Sequence, residues 1–311
     1  MLPIKEYIMH PRLAFLGLLS RCAKYISNDK LYLQMRYYLE FGKRLNLENP
    51  MTFNEKLQWL KLYNRNPEYT MMVDKYAVKE YVSSLIGEKY IIPTIGIWDY
   101  PENIEWKKLP NKFVLKTTHG GGSSAVIVCK NINAFDKNAA ITKLSNAMKS
   151  DIYKNLREWP YKNVCKRIIA EVCLEEKVDD LVSVDLTDYK FYCFNGEPKL
   201  CQVIRDRNTK ETIDFYDINW EHLEVVGLIP NVKNGENINN GQKPVNRPIH
   251  LNEMIDICRK LSGNIPFLRV DLYVINNKIY FGELTFFPAS GFGCFRPDEW
   301  SRKLGDLIIL P

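Results

Sequence analysis

Lys112-Phe-Val-Leu-Lys-Thr-Thr-His-Gly-Gly-Gly-Ser-Ser-Ala-Val-Ile-Val-Cys129 decides the fold class through what flanks its three glycines. Residues 112–116 and 125–129 are apolar and β-branched, so both flanks read as strands. A Walker loop or a Rossmann turn runs from its glycines into a helix. Here the loop returns to a strand, and both are excluded. What remains is a hairpin flap whose successive N–H groups can line a concavity for phosphate oxygens, with Lys116 at the end of the incoming strand. A plain glycine-rich hairpin tip is the competing reading. Lys116 is expected to be half exposed. His119 is expected to be exposed at the tip, with a phosphate contact or acid–base role as the alternative.

A second stretch, Arg269-Val-Asp-Leu-Tyr-Val-Ile-Asn-Asn-Lys-Ile-Tyr-Phe-Gly-Glu-Leu-Thr285, reads as two strands and a tight turn. Register decides its chemistry. A two-residue turn would put Asp271 and Glu283 on opposite faces, whereas a three-residue turn at 276–278 sets them opposite each other on one face, with Arg269 against Thr285. The three-residue turn is the expectation. Two adjacent carboxylates repel unless a cation lies between them. Hard oxygen ligands suit Mg²⁺ bound to nucleotide phosphates, and Arg269 would add a fork for a phosphoryl group. A solvated hairpin with unrelated charges is the alternative. Val270, Leu272, Val274, Phe281 and Leu284 weigh against it, because they make both faces look buried.

Outward from these motifs, residues 31–39 have helical spacing, and Thr52-Phe-Asn-Glu55 is a capping box opening a helix towards Tyr63. A second helix is expected over 69–85, stopped by Gly87. Residues 91–93 and 95–98 look like edge strands. A polar helix follows Asp136, and then come an apolar run at 168–174 and strands at 190–194, 200–204 and 212–216. A helix capped by Asn252 precedes the last hairpin. Helices, a small strand-rich insert and an antiparallel sheet make an α+β fold. Trp59 and Trp98 read as core, and Lys75 as structural or at a cleft edge.

The 311 residues suffice for two ordinary domains, and 46% apolar with 26% charged residues is a globular balance. No apolar run approaches about 18 residues, so no transmembrane helix or secretory signal is expected. A net charge of +6 suits an anionic ligand or a membrane surface and falls short of a nucleic-acid footprint. Eight scattered cysteines without a C-x-x-C pair, and four isolated histidines, read as reduced thiols in a cytoplasmic protein with no zinc site. The basic aromatic start, including Arg21, Lys24, Tyr25, Arg36, Tyr37 and Tyr38, reads first as helix packed on the main body. Peripheral docking on the inner face of a membrane, or on a partner, is the alternative.

Taken together, the sequence resembles the ATP-grasp superfamily, and more closely its TupA-like members from bacterial surface-polysaccharide gene clusters. The likeness runs from about Met35 to Phe292. It rests on Asn49-Pro-Met-Thr-Phe-Asn-Glu-Lys56, Asp74-Lys-Tyr-Ala77, Phe113-Val-Leu-Lys-Thr-Thr-His-Gly-Gly-Gly122, Asp188-Tyr-Lys-Phe191 with Phe194-Asn-Gly196, Arg269–Tyr273, and Phe281-Gly-Glu-Leu-Thr-Phe-Phe-Pro-Ala-Ser-Gly291. The resemblance implies an ATP-grasp fold divided into a helical extension (1–50), an N-terminal subdomain (51–110), a lid with the flap (111–170) and a C-terminal subdomain with a metal site (171–311).

It further implies ATP and Mg²⁺ as cofactors. Lys116, His119, Gly120, Gly121, Gly122, Ser123 and Ser124 would meet the triphosphate. Glu171, Val172 and Leu174 would lie beside adenine and Asp188 at the ribose. Lys190, Arg205 and Arg269 would contact phosphate during catalysis, Asp271, Glu283 and Thr285 the metal, and Ser290 and Gly291 the substrate. Thr285 stands where many of these ligases have Asn. The activity implied is carboxylate–amine ligation through an acyl phosphate, joining small molecules such as a uronic acid or other sugar and an amino acid in capsule or lipopolysaccharide biosynthesis. A sugar kinase, a glycosyltransferase and a non-catalytic nucleotide-binding protein stay open beside it.

Overall fold

The computed structural model describes residues 11–120, 125–178, 181–183, 186–206, 211–230, 241 and 244–311. Its helices are α1 (Pro11–Cys22), α2 (Asp29–Phe41), α3 (Phe53–Tyr63), α4 (Glu68–Val73), α5 (Ala77–Ile86), α6 (Lys137–Met148), α7 (Ile152–Leu156), α8 (Leu251–Ser262) and α9 (Glu299–Leu307). Among the described residues the strands run in order: β1 (Thr94–Trp98), β2 (Phe113–Thr117), β3 (Val126–Cys129), β4 (Ile168–Val172), β5 (Glu176–Val178), β6 (Leu181–Ser183), β7 (Asp188–Phe194), β8 (Glu197–Arg205), β9 (Thr212–Asp217), β10 (His222–Leu223), β11 (Val226–Pro230), β12 (Phe267–Ile275), β13 (Lys278–Thr285) and β14 (Gly293–Arg296).

Two antiparallel sheets carry the architecture. The smaller has the order β1-β4-β2-β3 and the larger β10-β9-β8-β7-β12-β13. The mixed α+β expectation holds. On the larger sheet, alternation puts Phe191, Cys193, Cys201 and Val270 on one face, where α8 covers them; Cys258 of that helix meets Cys193. Met254, Ile257 and Leu261 of α8 are buried there, each worth roughly 1.5–3 kcal/mol of transfer free energy, so this face is structural. The other face carries Asp188, Lys190, Tyr192, Arg269 and Asp271, and at one end it packs Tyr192 and Phe267 against Phe53 of α3.

The capping box at α3 forms as read, with Thr52 accepting from the Glu55 amide and Glu55 accepting from the Thr52 amide. Three local expectations are corrected. The helix expected over 69–85 is two, α4 and α5, because the Asp74 carboxylate accepts from the Tyr76 and Ala77 amides and restarts the chain. Gly87 still terminates the second. Residues 91–93 are not a strand, and β1 begins at Thr94. Finally, α8 is preceded by His250 with no side-chain cap, and Asn252 lies inside it.

The last hairpin gives the expected alignment by a different route. Asn276 and Asn277, both with positive φ (50° and 60°), make a two-residue turn that pairs Ile275 with Lys278. Leu272 then faces Phe281, yet Asp271 faces Glu283: Gly282 is an extra residue, a β-bulge. The bulge restores the face that the short turn would have lost. A Cβ on Gly282 would stand 2.9 Å from Tyr273 Cε2 and 3.0 Å from the Asp271 carbonyl oxygen. Gly282→Val should therefore cost about 1–3 kcal/mol in urea unfolding and move Glu283 off its partner. Unchanged stability would show that the bulge does not need its glycine.

Candidate functional site

Two clusters of opposite charges face inward from the two sheets. In the larger sheet Asp271 receives both Arg269 Nε (2.7 Å) and Nη2 (2.8 Å), and Lys190 joins its second oxygen. Glu283 pairs with Lys75 at 3.1 Å and with Arg269 at 3.4 Å. Arg269 also donates to Thr285 Oγ1 at 3.1 Å. Asp271 is buried, while the Glu283 side chain is one third exposed at 33%. Burial disfavours the charged Glu283, but Lys75, Lys190 and Arg269 outweigh it and hold the carboxyl well below the ordinary range. For Asp271, burial pushes upward against Arg269 and Lys190. With a guanidinium fork and an ammonium on its oxygens, we assign it as ionised.

In the smaller sheet Glu171 is buried on β4, where Lys116 of β2 and Lys79 of α5 (2.5 Å) both close on it. Burial opposes its ionisation; Lys116 and then Lys79 reverse this and lower it below 4.5. Lys116 is accordingly not half exposed. Its side chain keeps 17% of its surface and lies along the sheet to reach Glu171. Lys75 and Lys79 come from one short segment, and their two partners come from different sheets. The Lys75 amide also donates to the Thr118 carbonyl at the foot of the glycine loop (3.0 Å).

Near that foot His119 is buried, not an exposed tip. Neither ring nitrogen meets hydrogen-bond geometry, although the Ala147 carbonyl lies close enough to favour the charged form. Burial, and then Lys166, outweigh it and lower the ring below its ordinary 6.5, so His119 is neutral at neutral pH. Thr117 Oγ1, also buried, lacks a partner. A Cβ on Gly120 would sit 2.3 Å from that oxygen and 2.8 Å from Ala125 Cβ, so only glycine fits. Gly121, Gly122, Ser123 and Ser124 lie outside the described residues.

The other expected residues divide. Asp188 adjoins the first cluster: its carboxylate lies 3.8 Å from Lys190, and Tyr273 bonds to it. Val172 is exposed at the end of β4 and Leu174 half-buried just beyond. Arg205 is not brought in. Register pairs it with Thr212 on the opposite face from Lys190, and it closes on Asp214 at 3.0 Å. Ser290 and Gly291 are buried under α3. Lys61, fully buried, donates to the Ser290 carbonyl (2.8 Å), the Ser290 hydroxyl (2.9 Å) and the Leu156 carbonyl (2.9 Å). Burial pulls the Lys61 ammonium down to about 7 against the charge of Glu158.

Lys61 and Lys79 were missed as site neighbours, while Lys75 was read as structural or at a cleft edge. Only the Asp74-Lys75 motif hinted at the segment of Lys75 and Lys79. Among the described residues no three His, Cys, Asp or Glu side chains form a complete metal-ligand group. Asp271 and Glu283 are a pair of hard oxygen donors neutralised by three cations, and such cations can turn to an anionic ligand instead.

A family model described as TupA-like ATP-grasp matches residues 55–309. A search of curated proteins found no match. Among solved structures, D-alanine–D-alanine ligase from Helicobacter pylori is 15% identical, with a TM-score of 0.42 over 83% of this chain and 69% of that one. D-alanine–D-alanine ligase from Bacillus anthracis complexed with ATP is 14% identical, with a TM-score of 0.38 over 70% and 54%. The ATP-grasp ligase PsnB complexed with minimal precursor is 12% identical, with a TM-score of 0.42 over 81% and 66%. The chain thus spans between about half and two thirds of the length of these structures.

Because its folded pKa is depressed, Glu171 contributes stability above its unfolded value, and that contribution is lost as pH falls through the folded one. Glu171→Gln leaves two half-buried ammonium groups facing each other. It should cost about 3 kcal/mol at neutral pH and flatten the acid limb of stability against pH, measured by urea unfolding. Parallel acid limbs in variant and wild type would show that Glu171 is not ionised in the fold.

Proposed function

The chain belongs to the TupA-like ATP-grasp family, and from that premise we propose that it is an ATP-dependent carboxylate–amine ligase using Mg²⁺. The observation that carries the proposal is the alignment of Asp271 with Glu283 on one face, with Lys75, Lys190 and Arg269 converging on them. This donor set fits the ion: two carboxylates offer hard oxygens, and phosphate oxygens and water complete the shell. Asp271 and Glu283 would hold Mg²⁺, which when bound would neutralise charge on the phosphates.

The remaining work falls to the chain's own side chains. Lys190 and Arg269 orient the terminal phosphoryl group, and Arg269 does so with a planar fork that cannot lose its proton. Lys116 and Lys79 turn from Glu171 to nearer phosphates, and Gly120 starts the flap that keeps water out. Glu171, Val172 and Leu174 lie beside the base, with Asp188 at the ribose. A substrate carboxylate oxygen attacks the terminal phosphorus as the bond to ADP breaks, giving an acyl phosphate. An amine then attacks the acyl carbon, phosphate leaves, and the amine gives up its proton as the amide forms. No side-chain nucleophile is needed; positioning and charge suffice.

Ser290 and Gly291 border the acceptor side, held from beneath by Lys61. We place Arg205 outside this machinery. Family resemblance alone supports a sugar or uronic acid joined to an amino acid in surface-polysaccharide biosynthesis, and the four-part division at residues 50, 110 and 170.

The test is an ADP-release screen of fractionated metabolites, followed by hydroxylamine trapping on any active fraction. The ligase reading expects ADP together with a hydroxamate. ADP with a phosphorylated alcohol and no hydroxamate would establish a kinase. Nucleotide binding with no ADP from any fraction would establish a non-catalytic protein.

A further inference from the structure

Arg12, Phe15, Leu18 and Arg21 recur at every third position of α1, and all four are exposed. Phe15 keeps 60% and Leu18 55% of their surface, and Tyr25, directly after the helix, keeps 76%. The helix also has a packed side: Leu19, about 100° round the helix from Leu18, is buried and, with Ala23 just after the helix, joins Tyr32, Leu33 and Tyr37 of α2 in a small core. A helix that is apolar on its packed side and again on its open side has a second face to cover.

The charges around this ridge have one sign. Arg21 and Lys24 flank it at one end, and Arg12 lies against Gly42 at the other, beside exposed Lys43 and Arg44. The two acids between residues 11 and 44 turn inward. Asp29 pairs with Arg65 (2.7 Å) and Arg157 (3.0 Å), and Glu40 with Arg36 (3.3 Å). The segment exposes no carboxylate.

We propose that α1 is a membrane-surface anchor that lies in the interface of an anionic bilayer. Phe15, Leu18 and Tyr25 would enter the acyl boundary while Arg12, Arg21 and Lys24 reach headgroup phosphates along their methylene stems. The twelve described residues of α1 rise about 18 Å against a hydrocarbon core of about 30 Å, and the proposal lays them on the bilayer. Among the described residues no helix is long and apolar enough to span. Exposed apolar side chains among cations, with no exposed acid between residues 11 and 44, match an anionic lipid surface better than a folded partner. The ligase chemistry is not needed for this.

The test is co-sedimentation of the full chain with phosphatidylcholine vesicles, and with the same vesicles containing phosphatidylglycerol. Binding is expected only to the anionic vesicles and should weaken as salt screens the charges. Arg12→Glu with Arg21→Glu should reduce it by on the order of tenfold or more, and Phe15→Ser with Leu18→Ser should reduce it at every salt concentration. The serine pair should leave the thermal midpoint without vesicles unchanged. No binding, or equal binding to both vesicle types, would overturn the proposal. A dimer dissolved by the serine pair would overturn it in favour of a second copy. A midpoint lowered by the serine pair would show that the chain itself covers the face.

Discussion

Carboxylates inside a sheet must be matched by cations, because an unpaired buried charge is far more costly than a paired one. The arrangement of this protein depends on how that match is made. Asp271, Glu283 and Glu171 each lie among basic side chains, and two of those cations, Lys75 and Lys79, leave the chain four residues apart. One reaches the larger sheet and the other the smaller. The junction of α4 and α5 is thereby fixed to both sheets by charge, and the Lys75 amide ties it to the foot of the glycine loop. Asp74, which shapes that junction, is itself 3.5 Å from Arg167, just before β4.

Under the proposed ligase function, this match also prepares the site for chemistry. Cations already assembled around carboxylates need little reorganisation to receive a polyanion that brings its own divalent ion, and preorganised charge is the main resource of phosphoryl transfer. The 288–291 loop follows the same logic at greater depth. Lys61 is fully buried, yet all three of its bonds go to oxygens of the 288–291 loop and of Leu156. Ala289, Ser290 and Gly291 all take positive φ there, a local backbone strain that Lys61, Gln58 and Asn54 hold in place by bonding its carbonyls.

The strands and most helices were legible because alternation and capping are local. Thr52 and Glu55 announce their box, and the hydrophobic pairs of β12 and β13 announce a hairpin. Counting the hairpin by itself erred, since a two-residue Asn-Asn turn and a bulge at Gly282 together mimic one three-residue turn. Sequence shows the glycine but not that it lacks a partner across the strand. Arg205, expected near phosphate from the family resemblance, stands away from the cluster because its face depends on β8 register, including the irregularity between Tyr192 and Cys193. His119 was expected outside because loop tips are exposed on average, whereas here the neighbouring sheet and α6 enclose it; Lys116, expected half exposed at a strand end, is drawn in by Glu171. Lys61, Lys75 and Lys79 act over long sequence separations, on partners that no local pattern names.

The central claim is that Asp271 and Glu283 form one clamp for a metal-bound nucleotide. It is tested most directly by calorimetric titration of a non-hydrolysable ATP analogue, with and without Mg²⁺, into wild type, Asp271→Asn and Glu283→Gln. The account predicts that Mg²⁺ tightens binding to wild type, and that each variant still binds the analogue without metal but loses the tightening. An undiminished Mg²⁺ effect in both variants would contradict it.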